Sequence, residues 1–379
     1  MRRTLHVLIA MLAVLALVAA ACAEDEEPQA SATSPTSAAS PTGTGTETTA
    51  TPTETETALP GEGMLACEVT DTGGVDDKSF NQVTHDGLVR ATEELGVEES
   101  VLESQADTDY APNIQTFIDQ GCDIIITVGF LLGDATQVAA EANPDQKFAI
   151  VDFAYDPVIP NVLGLTFQTD QAAFLAGYLA AGMTKTGKVA TYGGINIPTV
   201  TIFMNGLLAG VRSYNQDNGT AVEVLGWDGT DGAFTGNFDN QDDGRRLTDD
   251  FISEGADIIL PVAGPVGFGT TAAAQDAGDV SVIWVDVDGC VSAEEFCPLF
   301  LTTIEKHIDT AVFDAIASVV DGTFEGGFYS GTLENDGIGI APFHEFEDDV
   351  PTELADRIEE LKQGIIDGSV SVNPADYPA

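Results

Sequence analysis

Residues 121–130 read GCDIIITVGF, and residues 255–264 read GADIILPVAG. Each stretch places an uninterrupted apolar run between a Gly-x-Asp start and a second glycine. Strands that are apolar on both sides are typical of a parallel sheet covered by helices on both faces. Because the two stretches occupy corresponding places in the two halves of the chain, they indicate a structural duplication.

Short apolar runs and amphipathic segments alternate around both stretches. From Leu65 onward they form a βαβα series, which then restarts as a second set of similar size. The sequence therefore predicts an α/β fold of two doubly wound parallel-sheet lobes joined by a hinge. We assign residues 65–185 and about 298–322 to lobe 1, and residues 186–297 and about 323–379 to lobe 2.

Three later segments complete this prediction. A helical pattern covers residues 305–322, so that Lys306 is expected at the start of a helix. Residues 326–343 are polar and rich in glycine, which favours a short hairpin. A terminal helix is predicted over residues 351–368.

The N-terminus has the pattern of a targeting segment over residues 1–21. Arg2 and Arg3 precede an apolar run that is short for a membrane span. Cys22 follows small residues, as in the lipobox of bacterial lipoproteins, although Ala19 stands where leucine is usual. We favour lipidation of Cys22, and ordinary signal cleavage near Ala21 is the alternative.

The composition of residues 22–64 is typical of a disordered tether. After Cys22 the stretch is rich in Thr, Ser, Pro and Glu and has almost no large apolar residue. Such a composition cannot bury enough surface to offset the entropy of ordering, which predicts disorder. A lipid at one end of a disordered tether would hold a folded domain near the outer surface of a membrane.

The charge balance restricts the partners. Acidic residues number 62 against 13 lysines and arginines, which gives a formal net charge of −49. This field repels phosphates and argues against a nucleic-acid partner. Most of these charges are explained by a solvated acidic surface.

The remaining cysteines number four, as expected for disulfides in an exported protein. Cys290 and Cys297 flank a short polar loop, and we predict that they pair. Cys67 and Cys122 each stand at the start of a predicted strand. They pair if those strands are neighbours, and otherwise they are two buried thiols.

The sequence lacks the motifs of common catalytic and metal sites. The sequence has no G-x-S-x-G or G-x-x-x-x-G-K-[ST] motif, and residues 264–269, GPVGFG, lack the spacing of a dinucleotide loop. His85, His307 and His344 have no metal-ligand spacing. We therefore expect no catalytic residues, no metal and no cofactor. Asp77 or Ser79 is expected to cap a helix.

Two parallel-sheet lobes have one natural ligand site, the crevice at the carboxyl ends of their strands. The residues expected there come from many segments that converge only on folding. They are Thr70 to Asn81, Gly129, Phe130, Asp152, Gly193, Gly194, Gly264 to Gly269, and Asp286 to Asp288.

Several of these segments resemble the basic membrane protein (BMP) family. They are VTDTGGVDDKSFNQ, CDIIITVGF, KFAIVD, FQTDQAAFLAGYLAA, VDVDGC and YSGTLENDGIGIAPF. The family comprises lipoprotein substrate-binding components of ABC importers. The resemblance implies the periplasmic-binding-protein type I fold, a nucleoside ligand (a purine is expected), permease and ATPase partners, and anchorage to the cell membrane. We expect a monomer.

The resemblance also implies a set of ligand contacts. Phe80 would stack on the base, with Phe203 from the other lobe as a second aromatic, and either Asp286 or Asp288 would bind ribose hydroxyls. The full set is Asp71, Phe80, Asn81, Asp152, Phe203, Gly264, Asp286, Asp288 and Lys306. Pro265 and Glu305 depart from the family pattern.

Other interpretations stay open at this point. Phe80 and Phe203 could be core residues, Asp152 a strand-end cap, and Lys306 a solvated lysine. A surface sensor or adhesion lipoprotein, or a binding protein for a sugar or other small polar ligand, would use the same fold. We expect the ligand to be captured by closure of the hinge.

Overall fold

The computed structural model describes residues 58–378. The predicted signal peptide, Cys22 and most of the predicted tether lie outside these residues. Within the described part of the chain, no helix is both long enough and apolar enough to cross a membrane.

The first half of the fold alternates strands and helices, as the sequence predicts. Its elements are β1 (Leu65–Val69), α1 (Phe80–Leu95), β2 (Glu98–Leu102), α2 (Asp107–Gln120), β3 (Ile124–Val128), α3 (Gly133–Ala142), β4 (Lys147–Val151), β5 (Val162–Phe167) and α4 (Thr169–Met183).

The second half repeats the alternation and adds elements that return to the first. These are β6 (Lys188–Gly193), α5 (Pro198–Asn218), β7 (Glu223–Leu225), α6 (Gln241–Ser253), β8 (Ile258–Val262), α7 (Gly267–Ala277), β9 (Ser281–Asp286), α8 (Gly289–Ser292), β10 (Phe300–Lys306), α9 (Ile308–Val320), β11 (Gly327–Gly331), β12 (Ile338–Ile340) and α10 (Thr352–Ile366).

Two six-stranded sheets form the centres of the two lobes. Their strand orders are β11-β5-β4-β3-β1-β2 in lobe 1 and β12-β10-β9-β8-β6-β7 in lobe 2. Apart from the antiparallel pair of β10 and β12, neighbouring strands are parallel. The order of β1 to β5 in the first sheet matches that of β6 to β10 in the second. The duplication is thus visible in the topology.

The chain crosses between the lobes after β5, after β10 and after β11. These crossings correct the predicted lobe boundaries. Helix α4, which was assigned to lobe 1, packs against α5, α10 and β10 of lobe 2. Strand β10, within the predicted 298–322 segment, joins the second sheet, whereas β11 joins the first. Local periodicity predicts the type of an element but not the sheet with which it pairs.

Two local predictions were wrong, and one strand was not predicted at all. Residues 326–343 do not form a hairpin, because β11 and β12 lie in different sheets. Lys306 ends strand β10, and helix α9 begins at Ile308. Strand β5 was missed because Gly164 interrupts its apolar pattern. A Cβ at Gly164 would lie 2.4 Å from the carbonyl oxygen of Phe153. The two backbone segments are therefore too close together for any residue other than glycine at this position.

Both proposed cysteine pairs are bonded in the structure. Cys67 in β1 and Cys122, which leads into the adjacent strand β3, have Cα atoms 6.1 Å apart. Cys290 and Cys297 close a short loop, with Cα atoms 4.5 Å apart. The first bond ties neighbouring strands of lobe 1, and the second lies beside the cleft-side end of lobe 2.

Candidate functional site

A cleft lies between the carboxyl ends of the strands of the two lobes. It encloses about 640 Å³, open solvent at its mouth included. Carboxylate, amide, aromatic and lysine side chains line it together with small residues. The polar and aromatic ones are Asp71, Asp77, Phe80, Asn81, Phe130, Asp152, Thr199, Phe203, Phe238, Asp286 and Lys306.

The loop between β1 and α1 is organised by Asp77. Its carboxylate accepts hydrogen bonds from the backbone N–H groups of Ser79 at 2.9 Å, Asn81 at 2.9 Å and Gln82 at 3.0 Å. These groups have no partner within the helix, so Asp77 is the capping residue. The Ser79 side chain makes no such bond. Asp76 is exposed and pairs with Lys78.

The amide of Asn81 is held between two carboxylates. Its Nδ2 donates to Asp71 Oδ1 at 2.8 Å and to Asp77 Oδ2 at 3.2 Å. Since ionised carboxylates only accept hydrogen bonds, this arrangement fixes which end of the amide is the donor. Within the described residues, Asn81 Oδ1 is buried and has no hydrogen-bond partner. The amide therefore retains an unused acceptor.

Asp71 is buried at the start of the same loop. Burial raises its pKa from 3.8 to about 6, although the hydrogen bonds from Asn81 and Gly73 act in the opposite direction. Burial likewise raises the pKa of Asp77 to about 6, against the bonds from its three backbone N–H partners. Both carboxyl groups therefore titrate closer to neutral pH than an exposed aspartate does.

Asp152 and Lys306 form a buried ion pair between the lobes. Asp152 follows β4 in lobe 1, and Lys306 ends β10 in lobe 2. Lys306 Nζ lies 2.8 Å and 2.6 Å from the two carboxylate oxygens. The lysine side chain is only 2% exposed, so it is not the solvated residue that remained possible from sequence. Asp152 also adopts a left-handed φ of 63°, which is unusual for a residue with a side chain.

Three phenylalanine rings lie near this lysine: Phe167, at 5.2 Å and outside the cleft lining, and two of the cleft lining that come from opposite lobes. Phe80 begins α1 of lobe 1, and Phe203 lies in α5 of lobe 2. The Lys306 Nζ is 5.0 Å from the Phe80 ring centre and 5.7 Å from that of Phe203. Phe203 is almost fully buried, yet both rings line the cleft. The cation thus lies close to both aromatic faces.

The structure distinguishes Asp286 from Asp288. Asp286 ends β9 with a left-handed φ of 72° and lines the cleft. Its pKa is raised to about 6 by burial, with the charge of Lys306 and the hydrogen bond from Ser79 opposing the shift. Asp288 lies outside the cleft lining. It accepts from the Cys290 N–H at 3.0 Å and contacts His344 Nε2 at 2.7 Å.

Sequence reasoning missed part of the aromatic lining. Phe130 belongs to the residues expected after β3, but it was not named as a ligand contact. Phe238 was not anticipated, because it lies in the irregular segment between β7 and α6, where no periodicity marks it. Gly264, with a left-handed φ of 51°, lines the cleft as expected.

The chemistry of the cleft suits binding more than reaction. Four aspartates face one lysine, which is already paired. Among the described residues that line the cleft, none is a serine, cysteine, histidine or arginine. The site thus offers flat apolar faces and hydrogen-bond acceptors, with a net negative charge.

A protein-family model matches residues 65–376, which is most of the chain. Its description is Bmp, ABC transporter substrate-binding protein PnrA-like. The match begins at β1 and ends beyond α10, so it covers both lobes.

Curated proteins from several bacteria are similar to this chain. "Basic membrane protein A" of Borreliella burgdorferi is 31% identical over 323 residues, which cover 82% of this chain and 90% of that protein. "ABC transporter nucleoside-binding protein BmpA" of Lactococcus lactis is 30% identical over 327 residues, which cover 82% and 89%.

Among solved structures, an ABC transporter solute-binding protein from Aeropyrum pernix is similar in fold. The match has a TM-score of 0.74 and 27% sequence identity, and it covers 81% of this chain and 92% of that one. The chain therefore has the fold of type I periplasmic binding proteins, with two parallel-sheet α/β lobes.

Proposed function

Because this chain belongs to the Bmp family of PnrA-like ABC transporter substrate-binding proteins, we propose that it captures a nucleoside, with a purine expected, and delivers it to a membrane permease. Family membership confirms the resemblance inferred from the sequence motifs. It also identifies the chain as a binding protein and not an enzyme. The identity of the ligand and its transport are our proposal.

The observation that carries this proposal is the pair of rings from opposite lobes. Phe80 and Phe203 both line the cleft, and both lie within 6 Å of the same lysine nitrogen. A purine has two flat faces that such rings could cover when the lobes close, and aromatic pairs contribute about 0.5–1.5 kcal/mol beyond area burial. The name of the Lactococcus lactis relative, a nucleoside-binding protein, supports the same ligand class.

Polar groups around the rings fit the edge of a base and the hydroxyls of a ribose. We assign Asp71 and Asn81 to the base, because they form one hydrogen-bonded unit beside Phe80. Asp152 also faces the base edge, and Lys306 fixes its carboxylate. Asp286 is the ribose ligand in this proposal, and Asp288 is withdrawn from the site because it does not line the cleft.

The charge of the cleft favours a nucleoside over a nucleotide. Four aspartates line it, and its one lysine is held by Asp152. A phosphate would therefore enter a negative field without a free cation or an arginine fork to receive it. A neutral nucleoside has no such cost.

The cellular setting follows from the N-terminus. We propose that a lipid on Cys22 and a tether over residues 22–64 hold the two lobes outside the cell membrane. The protein would act as a monomer that closes on its ligand and then docks on the permease of an importer that an ATPase drives. Hinge closure shifts the population toward a form in which both lobes contact the ligand.

Calorimetry on the purified protein tests the ligand class. Adenosine, guanosine, inosine, cytidine, AMP and free ribose would be titrated in turn. We expect the purine nucleosides to bind more tightly than cytidine, and AMP and ribose to bind weakly or not at all. Tighter binding of AMP than of every nucleoside would reject the proposal, and tighter binding of ribose would favour a sugar-binding protein.

A further inference from the structure

A second contact, in addition to the pair of Asp152 and Lys306, joins the two lobes. The turn before α1 in lobe 1 reaches the end of β9 in lobe 2. Ser79 Oγ donates a hydrogen bond to Asp286 Oδ2 at 2.7 Å. One residue earlier, the carbonyl oxygen of Lys78 accepts a hydrogen bond from Trp284 Nε1 at 3.3 Å. We call Lys78, Ser79, Trp284 and Asp286 the interlobe latch.

The side chains that form the two ends of the latch are buried, and its backbone is in an unusual conformation. Ser79 and Trp284 are fully buried. Lys78 has a left-handed φ of 59° and Asp286 one of 72°, so left-handed residues occur on both sides of the contact. Residues with side chains rarely adopt this conformation, which persists only where the surrounding structure holds it. Asp77 provides such support by accepting the Ser79 N–H at 2.9 Å.

The Ser79 hydroxyl serves neither the helix nor the cleft directly. Ser79 is the residue before α1, yet its side chain makes no capping hydrogen bond. Lys78, Ser79 and Trp284 are absent from the residues that line the cleft. The hydroxyl donates instead to β9 of the other lobe, to Asp286 Oδ2 at 2.7 Å and with a longer contact to the Val285 carbonyl oxygen at 3.4 Å. Both of these residues line the cleft.

We propose that Ser79 sets ligand affinity without touching the ligand, by holding the lobes closed through Asp286; this inference rests on the proposed capture of a nucleoside. Opening at the hinge moves Ser79 with lobe 1 and Asp286 with lobe 2. These hydrogen bonds between the lobes must then break before the ligand can leave. The latch therefore acts on the dissociation rate more than on the association rate.

The variant Ser79→Ala tests this role in the full chain. Dissociation of the nucleoside identified by calorimetry would be followed by stopped-flow tryptophan fluorescence. We expect dissociation to become about tenfold faster, with the association rate within about twofold of wild type. Small-angle X-ray scattering of the loaded variant should show a larger radius of gyration. Unchanged dissociation and scattering would overturn the proposal.

Two further variants separate the latch from general destabilisation. Ser104 is a buried serine of lobe 1 whose Oγ accepts from Asn113 Nδ2 at 3.1 Å within the same lobe. Ser104→Ala should lower the melting temperature and leave dissociation unchanged. Trp284→Phe removes the hydrogen bond to the Lys78 carbonyl oxygen and should speed ligand loss in the same direction as Ser79→Ala. Because this variant lacks one of the two tryptophans, its ligand loss is followed by the release of radiolabelled nucleoside, with wild type measured in the same way. If Ser79→Ala does not fold, Trp284→Phe decides the question.

Failure of the latch is distinguishable from failure of the proposed ligand. If no nucleoside binds the wild-type protein, the proposed function fails. The latch is then judged from the scattering of the ligand-free chains, where Ser79→Ala should be more extended than wild type and Ser104→Ala should not. Superimposable curves for wild type and Ser79→Ala would reject the latch.

Discussion

Lys306 Nζ lies within 2.8 Å of both carboxylate oxygens of Asp152, and this pair bridges the two lobes inside the cleft. The lysine is 2% exposed and the aspartate side chain 9%. Neither charge has much access to water, so each depends on the other. The same ion pair therefore contributes to the stability of the fold and holds two cleft residues of opposite lobes in place.

Removing one member of this pair should be costly. Lys306→Met leaves Asp152 buried without its cation, and the loss of one partner from a buried pair typically lowers the free energy of unfolding by about 3–5 kcal/mol. Urea unfolding followed by circular dichroism measures the change. The matched control is Lys188→Met, which breaks a half-exposed pair with Glu223 at 3.5 Å and should cost less than about 1 kcal/mol. Equal effects from the two variants would contradict our account.

Truncating Phe80 should weaken ligand binding more than folding. Phe80→Ala removes one of the two rings proposed to cover the base, and we expect affinity to fall at least about tenfold. Calorimetry with the tightest nucleoside measures this loss, and thermal unfolding checks the fold. Phe328, which is 65% exposed on β11 and outside the cleft lining, provides the control Phe328→Ala. If Phe80→Ala binds the nucleoside with wild-type affinity, Phe80 does not stack on the base.

The two disulfides should differ in their contribution to stability. Cys67 and Cys122 are 55 residues apart, whereas Cys290 and Cys297 are 7 apart. Constraint of the unfolded chain grows with loop length, which gives about 4 kcal/mol for the long loop and about 2 kcal/mol for the short one. Urea unfolding of the two double-alanine variants tests the order. A larger loss from Cys290→Ala with Cys297→Ala would show that loop length does not govern here.

Stability should increase as the pH falls toward 5. Burial raises the pKa values of Asp71, Asp77 and Asp286 to about 6 in the folded chain, whereas unfolded aspartates titrate near 3.9. Between these values the folded state binds more protons, so the free energy of unfolding falls as the pH rises. Urea unfolding at about pH 5 and about pH 7.5 should show this difference. Asp71→Asn should reduce it, and stability that rises with pH would contradict the assignment.

Local sequence was sufficient for the element types and for much of one loop. The apolar runs of β3 and β8 predicted parallel strands, because a strand buried on both faces has no polar side. The turn from Asp71 to Asn81 gathered aromatic, amide and carboxylate groups within a few residues of each other. These groups reach the cleft together because one short loop carries all of them. Their spacing in the sequence was therefore enough to predict that they lie close to each other.

Contacts between residues that are distant in sequence could not be predicted from local patterns. Lys306 was expected at a helix start, and only the pairing of β10 with β9 and β12 places it at a strand end facing Asp152. Phe238 had no periodic pattern to mark it. The choice between Asp286 and Asp288 depends on which carboxylate points to the other lobe, and the two differ by only two positions in sequence.

The sequence by itself determined the α/β class, the duplicated series of strands and helices, the family, and the loop that carries Asp71, Phe80 and Asn81. These follow from periodicity and motifs, which act over a few residues. The tertiary structure alone decided which sheet receives β10 and β11, and hence where the lobes divide. It also decided that Lys306 meets Asp152 and that Ser79 meets Asp286. Those pairs are separated by 154 and 207 positions, and only packing of the two lobes brings such distant residues within hydrogen-bonding distance.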